Sequence, residues 1–213
     1  MEKNSALLVI QVLLFMLNEE ERKILLDLAR FSIKGDLSKL KSIESAISEN
    51  LKKPKGVFVT LTENGELRGC IGNITPVEPL YKAVINCARD AAYNDWRFPP
   101  VREHEIDLLK IEISVLSDLK PLEYSTIDDL LGKLNKSLGV VIEKGMNKAT
   151  FLPQVWEDLP RKEDFLNQLC IKAGLSPCRA QPGLGSARPG LSLDGGPDEL
   201  KVYVYTVEKF SEE

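Results

Sequence analysis

Histidine is almost absent from this 213-residue sequence, in which His104 is the only one. The four cysteines are far apart and form no Cys-x-x-Cys pair. Zinc sites are usually built from cysteine and histidine at short, fixed spacings, so we expect no metal site. The same scarcity argues against a Cys–His catalytic dyad. Such a dyad would have to pair Cys70 with His104, and nothing in their spacing supports it.

Phosphate-binding loops are missing as well. The segment LRGCIG at 67–72 has two glycines, but it matches neither the Gly-x-x-x-x-Gly-Lys-Ser/Thr pattern nor the Gly-x-Gly-x-x-Gly pattern. No pair of carboxylates at a defined spacing marks a hydrolase. The residues therefore indicate no cofactor and no named reaction, and they leave open whether the protein is an enzyme.

Charge of one sign is not in excess, because 28 lysines and arginines face 32 aspartates and glutamates for a net charge of −4. Nucleic-acid-binding domains usually carry a basic surface, so we expect no nucleic-acid partner. Charged residues make up 28% of the chain and hydrophobic residues 43%. This balance is typical of a globular protein with a substantial core.

Long hydrophobic runs are limited to ALLVIQVLLFML at 6–17. Twelve residues are too few for a helix that spans a bilayer. Only one basic residue, Lys3, precedes the run, and no small-residue cleavage pattern follows it. We interpret 1–17 as an apolar N-terminal extension that the protein or a partner covers. The sequence thus predicts a cytoplasmic protein without membrane association.

The sequence does contain a mixture of helices and hairpins. Apolar residues at helical spacing predict helices that begin near Asn18 and Leu80. An Asn-Gly turn at 64–65 lies between two β-branched runs and predicts a hairpin, and a second hairpin turns at 144–147. Because βαβ alternation is missing, this order predicts an α+β fold with mainly antiparallel sheets and packed helices. The Pro/Gly-rich stretch 176–199 is expected to be a loop.

The segment from Arg68 to Gly72 combines features that chemistry could use. Gly69 and Gly72 relieve a steric limit on a strand, through a bulge or through close approach of another backbone or a ligand. Arg68 is two residues from Cys70, so on a regular strand their side chains share one face and the cation could lower the thiol pKa. A bulge at Gly69 would disturb that arrangement. A buried structural cysteine is the alternative.

A second polar and aromatic segment, YNDWRFPP, follows the helix that begins near Leu80. Asp95 and Arg97 could form an ion pair, and aromatic residues beside an arginine suit stacking on a ligand or a partner. The alternative is a helix-ending turn whose Trp96 and Phe98 fill the core.

A similar segment, FLPQVWEDLP at 151–160, places Gln154 and Trp156 between two prolines. A turn with packing aromatic residues explains it. We expect a functional role there only if the fold brings it near Cys70.

Taken in order, these segments resemble the AMME chromosomal-region protein family. The hallmark of that family is LRGCIG, and four further segments follow in the family's order: NDWRFPP at 94–100, IEISVL at 111–116, IEKG at 142–145 and LPQV at 152–155. The resemblance implies an α+β protein whose single domain, at 18–213, has two unequal lobes with a cleft between them.

The resemblance also implies where function would lie. The hallmark motif is thought to matter functionally, which makes Cys70 the candidate catalytic residue. The candidate ligand-binding residues come from the two polar segments: Arg68, Gly69, Gly72, Asn94, Asp95 and Arg97. We expect a protein that binds a small molecule, or performs unassigned chemistry, at a cleft lined by LRGCIG.

The alternative function is a non-catalytic interaction module. In prokaryotes such domains are encoded with, or fused to, a Memo-like protein and a radical SAM protein, which makes these two the candidate partners. In this alternative RGCIG shapes a backbone turn, and Trp96 with Phe98 supplies an exposed anchor. The oligomeric state is left open.

Overall fold

The computed structural model describes residues 17–43, 46–176 and 200–212. Residues 1–16 of the predicted extension and 177–199 of the predicted loop lie outside the described part. By its internal contacts the chain divides into two units, Met1–Asp118 with Glu208–Glu213, and Leu119–Val207. A separate hydrophobic core occupies each unit.

Helices and strands alternate irregularly along the described residues. The α-helices are α1 (Glu19–Lys34), α2 (Leu37–Ile43), α3 (Leu80–Tyr93), α4 (Ile127–Lys133), α5 (Val155–Asp158) and α6 (Lys162–Lys172). The strands are β1 (Val57–Glu63), β2 (Glu66–Asn73), β3 (Leu109–Leu116), β4 (Lys120–Pro121), β5 (Gly139–Lys144), β6 (Asn147–Phe151), β7 (Lys201–Tyr205) and β8 (Val207–Ser211). A 3-10 helix, Glu103–Leu108, precedes β3.

Helix α1 begins where the sequence predicts. The side chain of Asn18 accepts a hydrogen bond from the N–H of Glu21, and the Glu21 carboxylate accepts one from the N–H of Asn18. This reciprocal capping satisfies two backbone donors that the first turn leaves unpaired. Gly35 ends the helix with a left-handed φ of 67°, a conformation that glycine adopts without steric cost.

The first unit contains a four-stranded sheet in the order β2-β1-β3-β8. Strand β1 is antiparallel to both β2 and β3. Its residues 57, 59 and 61 are fully buried in the core that α1 and α3 share with the sheet, whereas the residues between them are half-buried. The turn after β1 has positive φ at Asn64 (53°) and Gly65 (85°), as a two-residue hairpin requires. The predicted hairpin is confirmed.

The second unit contains a sheet in the order β4-β7-β5-β6, with all of its pairs antiparallel. Strands β5 and β6 form the second predicted hairpin, and Gly145 has a φ of 58° in its turn. The core of this unit includes Trp156 and Phe165, whose rings are stacked with their centroids 3.5 Å apart.

Antiparallel sheets packed with helices confirm the α+β class. Each unit has its own core and is described by itself. The predicted cleft between the two lobes therefore stays a prediction. A bilayer-spanning helix is not found anywhere in 17–43, 46–176 or 200–212.

Candidate functional site

Strand β2 contains a bulge at Arg68. Thr62 of β1 is opposite Leu67, but the next residue of β1, Leu61, is opposite Gly69. Arg68 is therefore an extra residue with no opposite partner. A bulge of this kind shifts the alternation of all residues that follow it.

The bulge decides which face of the sheet Cys70 joins. If the register set by the turn at 64–65 continued without a bulge, Cys70 would lie opposite Val59, which is fully buried in the core. With the extra residue, Cys70 lies opposite Thr60, and Ile71 packs against the core instead. Cys70 is thus half-buried on the face of the sheet that points away from the core.

The face that carries Cys70 consists of two rows that cross three strands. The first row contains Cys70, Thr60 and Glu112, and the second contains Gly72, Phe58 and Ser114. The Thr60 hydroxyl donates a hydrogen bond to Cys70 Sγ at 3.3 Å. A carboxylate oxygen of Glu112 lies 2.9 Å from Nζ of Lys209. A thiol, a hydroxyl, an ion pair and an aromatic ring therefore share one surface, which we call the Cys70 face.

Two side chains from the segment after α3 hold the outer edge of β2 at Cys70. The N–H of Cys70 donates to Asp95 Oδ2 at 2.9 Å, and its carbonyl oxygen accepts from Arg97 Nη2 at 3.0 Å. Both main-chain groups thus point away from β1, as in a non-hydrogen-bonded antiparallel pair. Arg97 also donates to both carboxylate oxygens of Asp95, at 2.9 Å from Nε and 2.7 Å from Nη2. The predicted ion pair is confirmed, and it lies directly on Cys70.

Asp95 is buried and charged. Its side chain is 2% exposed. The hydrogen bonds from the Arg97 guanidinium, with further ones from the N–H groups of Cys70 and Arg97, hold the pKa of this carboxyl well below its ordinary value, against the opposing effect of burial. The hydrogen bonds between the two side chains also raise the pKa of Arg97. Within the described ranges Arg97 Nη1 makes no hydrogen bond, and 41% of this side chain is exposed.

Arg68 is bound to a different carboxylate. Its Nε lies 2.9 Å from Glu105 Oε1 and its Nη2 lies 3.3 Å from Oε2, while Nη1 donates to the carbonyl oxygen of Pro99 at 2.9 Å. The Arg68 guanidinium lowers the pKa of Glu105 to about 2. The Arg68 guanidinium, which the sequence suggests as an activator of the Cys70 thiol, is therefore paired with the Glu105 carboxylate.

Gly69 and Gly72 allow neighbouring groups to approach β2 closely. A Cβ atom on Gly69 would lie 2.1 Å from the carbonyl oxygen of Ala91 in α3. On Gly72 it would lie 2.3 Å from the carbonyl oxygen of Val57 and 2.5 Å from the Phe58 ring. Both explanations that the sequence suggests for the glycines, a bulge and a close approach, are thus present in the same strand.

The other residues of NDWRFPP have different surroundings. Asn94 is exposed at the end of α3, and its Nδ2 donates a hydrogen bond to Asp90 Oδ1 at 2.7 Å. Trp96 is 90% exposed, so it does not fill the core. Phe98 is half-buried, with the Arg97 guanidinium 5.5 Å from its ring centre. The structure therefore brings Asp95 and Arg97 to Cys70, but not Asn94.

The sequence alone does not indicate Thr60, Glu105 or the remaining members of the Cys70 face, which are Phe58, Glu112, Ser114 and Lys209. Thr60 can be placed opposite Cys70 only when the bulge is known. Glu105 lies beside His104 in a polar segment, and no local pattern connects it to Arg68. His104 itself is exposed in the 3-10 helix. Among the described residues, no group of three or more His, Cys, Asp or Glu side chains could hold a metal ion.

Two of the cysteines are free thiols with contrasting surroundings. Cys70 is half-buried, whereas Cys87 in α3 is only 3% exposed. Burial raises the pKa of the Cys87 thiol to about 12. Cys87 is thus an internal reference for an unreactive cysteine.

Comparison with known proteins agrees with the motifs described above. The AMMECR1 family model matches residues 26–185, which is most of the chain. The chain belongs to the AMMECR1 family. A relative from Methanothermobacter thermautotrophicus is 38% identical over 169 residues, covering 76% of this chain and 86% of the relative. Protein PH0010 from Pyrococcus horikoshii is 35% identical over 214 residues, covering 94% of both chains.

The fold is also shared within the AMMECR1 family. The crystal structure of the uncharacterised protein PH0010 matches this chain with a TM-score of 0.68 and 36% identity, over 89% of this chain and 90% of the other. The family resemblance that LRGCIG and the later motifs indicate is therefore confirmed.

Proposed function

We propose that the protein binds a small molecule on the Cys70 face. The observation that carries this proposal is the bulge at Arg68, which moves the thiol out of the core to a half-buried position. Bulges often re-aim a side chain next to a functional site. A cysteine needed only for packing could have remained opposite Val59, because cysteine is readily accommodated in cores.

The composition of the Cys70 face suits a ligand with both apolar and polar parts. The Phe58 ring offers an apolar surface, and the Glu112–Lys209 ion pair offers both charges. Binding sites for small molecules commonly combine apolar walls with a few placed polar groups. Cys70 is the strongest nucleophile of this surface, so chemistry at the site would use its thiol.

In this proposal the other candidate residues form the edge of the site. Arg68 and Arg97 are each paired with a carboxylate, so neither offers an uncompensated charge to an anion. Arg97 Nη1 is the donor that an incoming ligand could reach. The close packing at Gly69 and Gly72 keeps β2 in place, and Asn94 lies at the outer limit of the site. We place the protein in the cytoplasm, and subcellular fractionation tests that location.

A thermal-shift screen of metabolites tests the proposed site, because a ligand that binds the native state raises Tm. The screen uses the wild type, Cys70→Ala and the matched control Cys87→Ala. A ligand of the Cys70 face should raise Tm in the wild type and the control but much less in Cys70→Ala. Equal shifts in all three proteins would contradict the proposal.

A second measurement concerns the thiols themselves. Iodoacetamide should alkylate Cys70 faster than Cys87, and peptide mass spectrometry can follow both residues in the same sample. Thiolate is the reactive form, and the raised pKa of Cys87 keeps it protonated. Equal rates at the two residues would show that Cys70 is as inaccessible as a core cysteine.

A second candidate function is an interaction module, which the exposure of Trp96 favours. Tryptophan is enriched among residues that dominate binding interfaces, and Trp96 is 90% exposed beside Arg97. The partners in this candidate function are a Memo-like or a radical SAM protein.

Calorimetric titration of either purified partner tests the interaction directly. Trp96→Ala should weaken binding by about ten-fold or more. Met146→Ala, which removes a fully exposed apolar side chain from the second unit, should leave binding unchanged. Equal affinities for the two variants would exclude Trp96 as the anchor.

A further inference from the structure

We infer that residues 207–212, which are β8 and the glutamate that follows it, form a strap that opens as one unit. Arg22 and Arg30 of α1 hold the strap closed, and the closed strap supplies Lys209 to the Cys70 face. The inference names a way to control that site, so it rests on the proposed function.

Strand β8 is held only weakly by apolar packing. It lies at the other end of the strand order from β2, so β3 is its only neighbouring strand in the described sheet. None of its five residues is buried. Phe210 packs against the core of the first unit but stays half-buried, whereas β1 contributes three fully buried residues. Segments with few buried apolar contacts are the ones that open locally in a native protein.

Charged groups hold the beginning of the strap on α1. Arg22 Nε donates a hydrogen bond to Glu208 Oε1 at 2.9 Å, and the N–H of Leu17 donates to Glu208 Oε2 at 3.2 Å. The Arg22 and Glu208 side chains are 33% and 17% exposed. Because water and salt screen such a pair less than a fully exposed one, it contributes more to docking.

A second arginine of α1 holds the end of the strap. Arg30 Nε donates to Glu212 Oε1 at 3.0 Å, and its Nη2 is also bonded to Glu212 Oε2. Glu212 Oε2 accepts a further hydrogen bond from the N–H of Ile111 in β3 at 3.0 Å. Arg30 itself is fixed by the carbonyl oxygens of Ile106 and Leu109, at 2.6 and 2.7 Å. Both ends of the strap are thus bound to one helix by charge.

Lys209 lies between the two glutamates and points to the opposite face. Successive side chains of a strand alternate, so the glutamates reach α1 while Lys209 reaches the Cys70 face. There its Nζ lies 2.9 Å from a carboxylate oxygen of Glu112. When the strap opens, Glu112 loses this cation. The position of the strap therefore sets the charge that a ligand of the Cys70 face meets.

Amide hydrogen exchange of the full chain, followed by NMR, tests whether the strap opens as one unit. The N–H of Ile111 is bound by Glu212, so its exchange reports one end of the strap. Glu208→Gln weakens the other end. It should speed the exchange of Ile111 by about three- to ten-fold, as the loss of a partly shielded charged pair predicts. Arg22→Gln, which breaks the same pair from the helix side, should have the same effect.

Two controls separate strap opening from other causes. The amide of Val59 in β1, a strand between β2 and β3, should keep its exchange rate in every variant. Asp107→Asn removes the exposed ion pair of α1 with Lys34 and should leave Ile111 unchanged. The inference is wrong if Glu208→Gln and Arg22→Gln both leave Ile111 unchanged. Equal increases at Ile111 and Val59 would also overturn it, because they would indicate global unfolding.

The charge of the face is tested at Cys70 itself. Lys209→Gln gives the face the charge that it has when the strap is open. Glu112 is two strands from Cys70, or about 10 Å, so it should repel an anionic reagent. The rate of Cys70 alkylation by iodoacetate, relative to iodoacetamide, should fall by about two-fold. Lys34→Gln, which removes the same charge from α1, should leave this ratio unchanged.

An unchanged alkylation ratio in Lys209→Gln would overturn the link between the strap and the Cys70 face. Neither measurement contains a ligand. A failed ligand search would therefore contradict the proposed function without affecting the exchange rates or the alkylation ratio, and failure of the strap would not affect the ligand search.

Discussion

Two segments of this protein have similar local sequences and opposite structures. NDWRFPP and LPQVWEDLP both place a tryptophan among acidic residues and prolines. Trp156 is 4% exposed, stacks on Phe165 and donates from Nε1 to the carbonyl oxygen of Leu138 at 3.0 Å. Trp96 is 90% exposed, and the residue buried beside it is Asp95. In LPQVWEDLP the aromatic residue enters the core, whereas in NDWRFPP the buried residue is the carboxylate.

The difference lies in what the surrounding fold offers to each side chain. The core offers Trp156 both the Phe165 ring, on which the indole stacks, and the carbonyl oxygen of Leu138, which accepts from its N–H. The apolar and the polar parts of the indole therefore both have a partner. Beside Trp96 the available groups are the outward N–H and carbonyl of Cys70, which suit the charged pair of Asp95 and Arg97. Aspartate side chains are usually exposed and tryptophan side chains are usually buried. The reverse arrangement at Asp95 and Trp96 therefore indicates a specific role for this segment.

The largest predicted effect is on the buried tryptophan. Trp156→Ala should lower the free energy of unfolding by about 3–5 kcal/mol, because it leaves a cavity against Phe165. Trp96→Ala should change it by less than about 0.5 kcal/mol, as exposed sites usually do. Urea denaturation of both variants measures the contrast. Similar losses in the two would mean that Trp96 also has a packing role.

The next effect concerns the approach of β2 to α3. Gly69→Ala should destabilise the protein by about 2–3 kcal/mol, because the new Cβ would meet the backbone carbonyl of Ala91. Gly132→Ala is the control, since nothing lies within 4 Å of its added Cβ. Thermal unfolding should show a clear fall in Tm only for Gly69→Ala. An unaltered Tm would mean that the strand and the helix separate easily.

A somewhat smaller effect is expected for the buried carboxylate. Asp95→Ala should lower the free energy of unfolding by about 2 kcal/mol, because the N–H of Cys70 and the Arg97 guanidinium lose their acceptor. Asp107→Ala is the control, since its ion pair with Lys34 is exposed. Chemical denaturation should separate the two variants. If both variants lost the same small free energy of unfolding, the buried position of Asp95 would contribute nothing to stability.

The smallest effect is a pH dependence at Glu105. Its folded pKa of about 2 lies below the ordinary 4.5, so its stabilising contribution is complete above about 4.5 and is lost as the pH falls towards about 2. The difference in urea midpoint between wild type and Glu105→Gln should therefore shrink between about pH 6 and about pH 3. A difference that is constant over this range would mean that the Arg68 ion pair contributes no pH dependence.

Much of the local structure could be predicted because it depends on neighbouring residues. The capping of α1 needs only Asn18 and Glu21, and the first hairpin needs only the Asn-Gly turn. The ion pair of Asp95 and Arg97 is also local, since the two residues are two positions apart along the chain. The partner of Arg68 could not be predicted, because Glu105 is 37 residues away and meets it only in the folded unit.

The family, the α+β class, the main hairpins and helices, and LRGCIG as the candidate site can all be predicted from the sequence. It could not determine where Cys70 points. The turn at 64–65 alone would place that thiol in the core, because strand alternation has a period of two. Contacts formed in the folded unit place the thiol on the other face. Ile71 packs into the core, Gly69 admits α3, and Asp95 with Arg97 binds the outer edge of β2. These long-range contacts accompany one extra residue in the strand, and that residue places Cys70 on the opposite face.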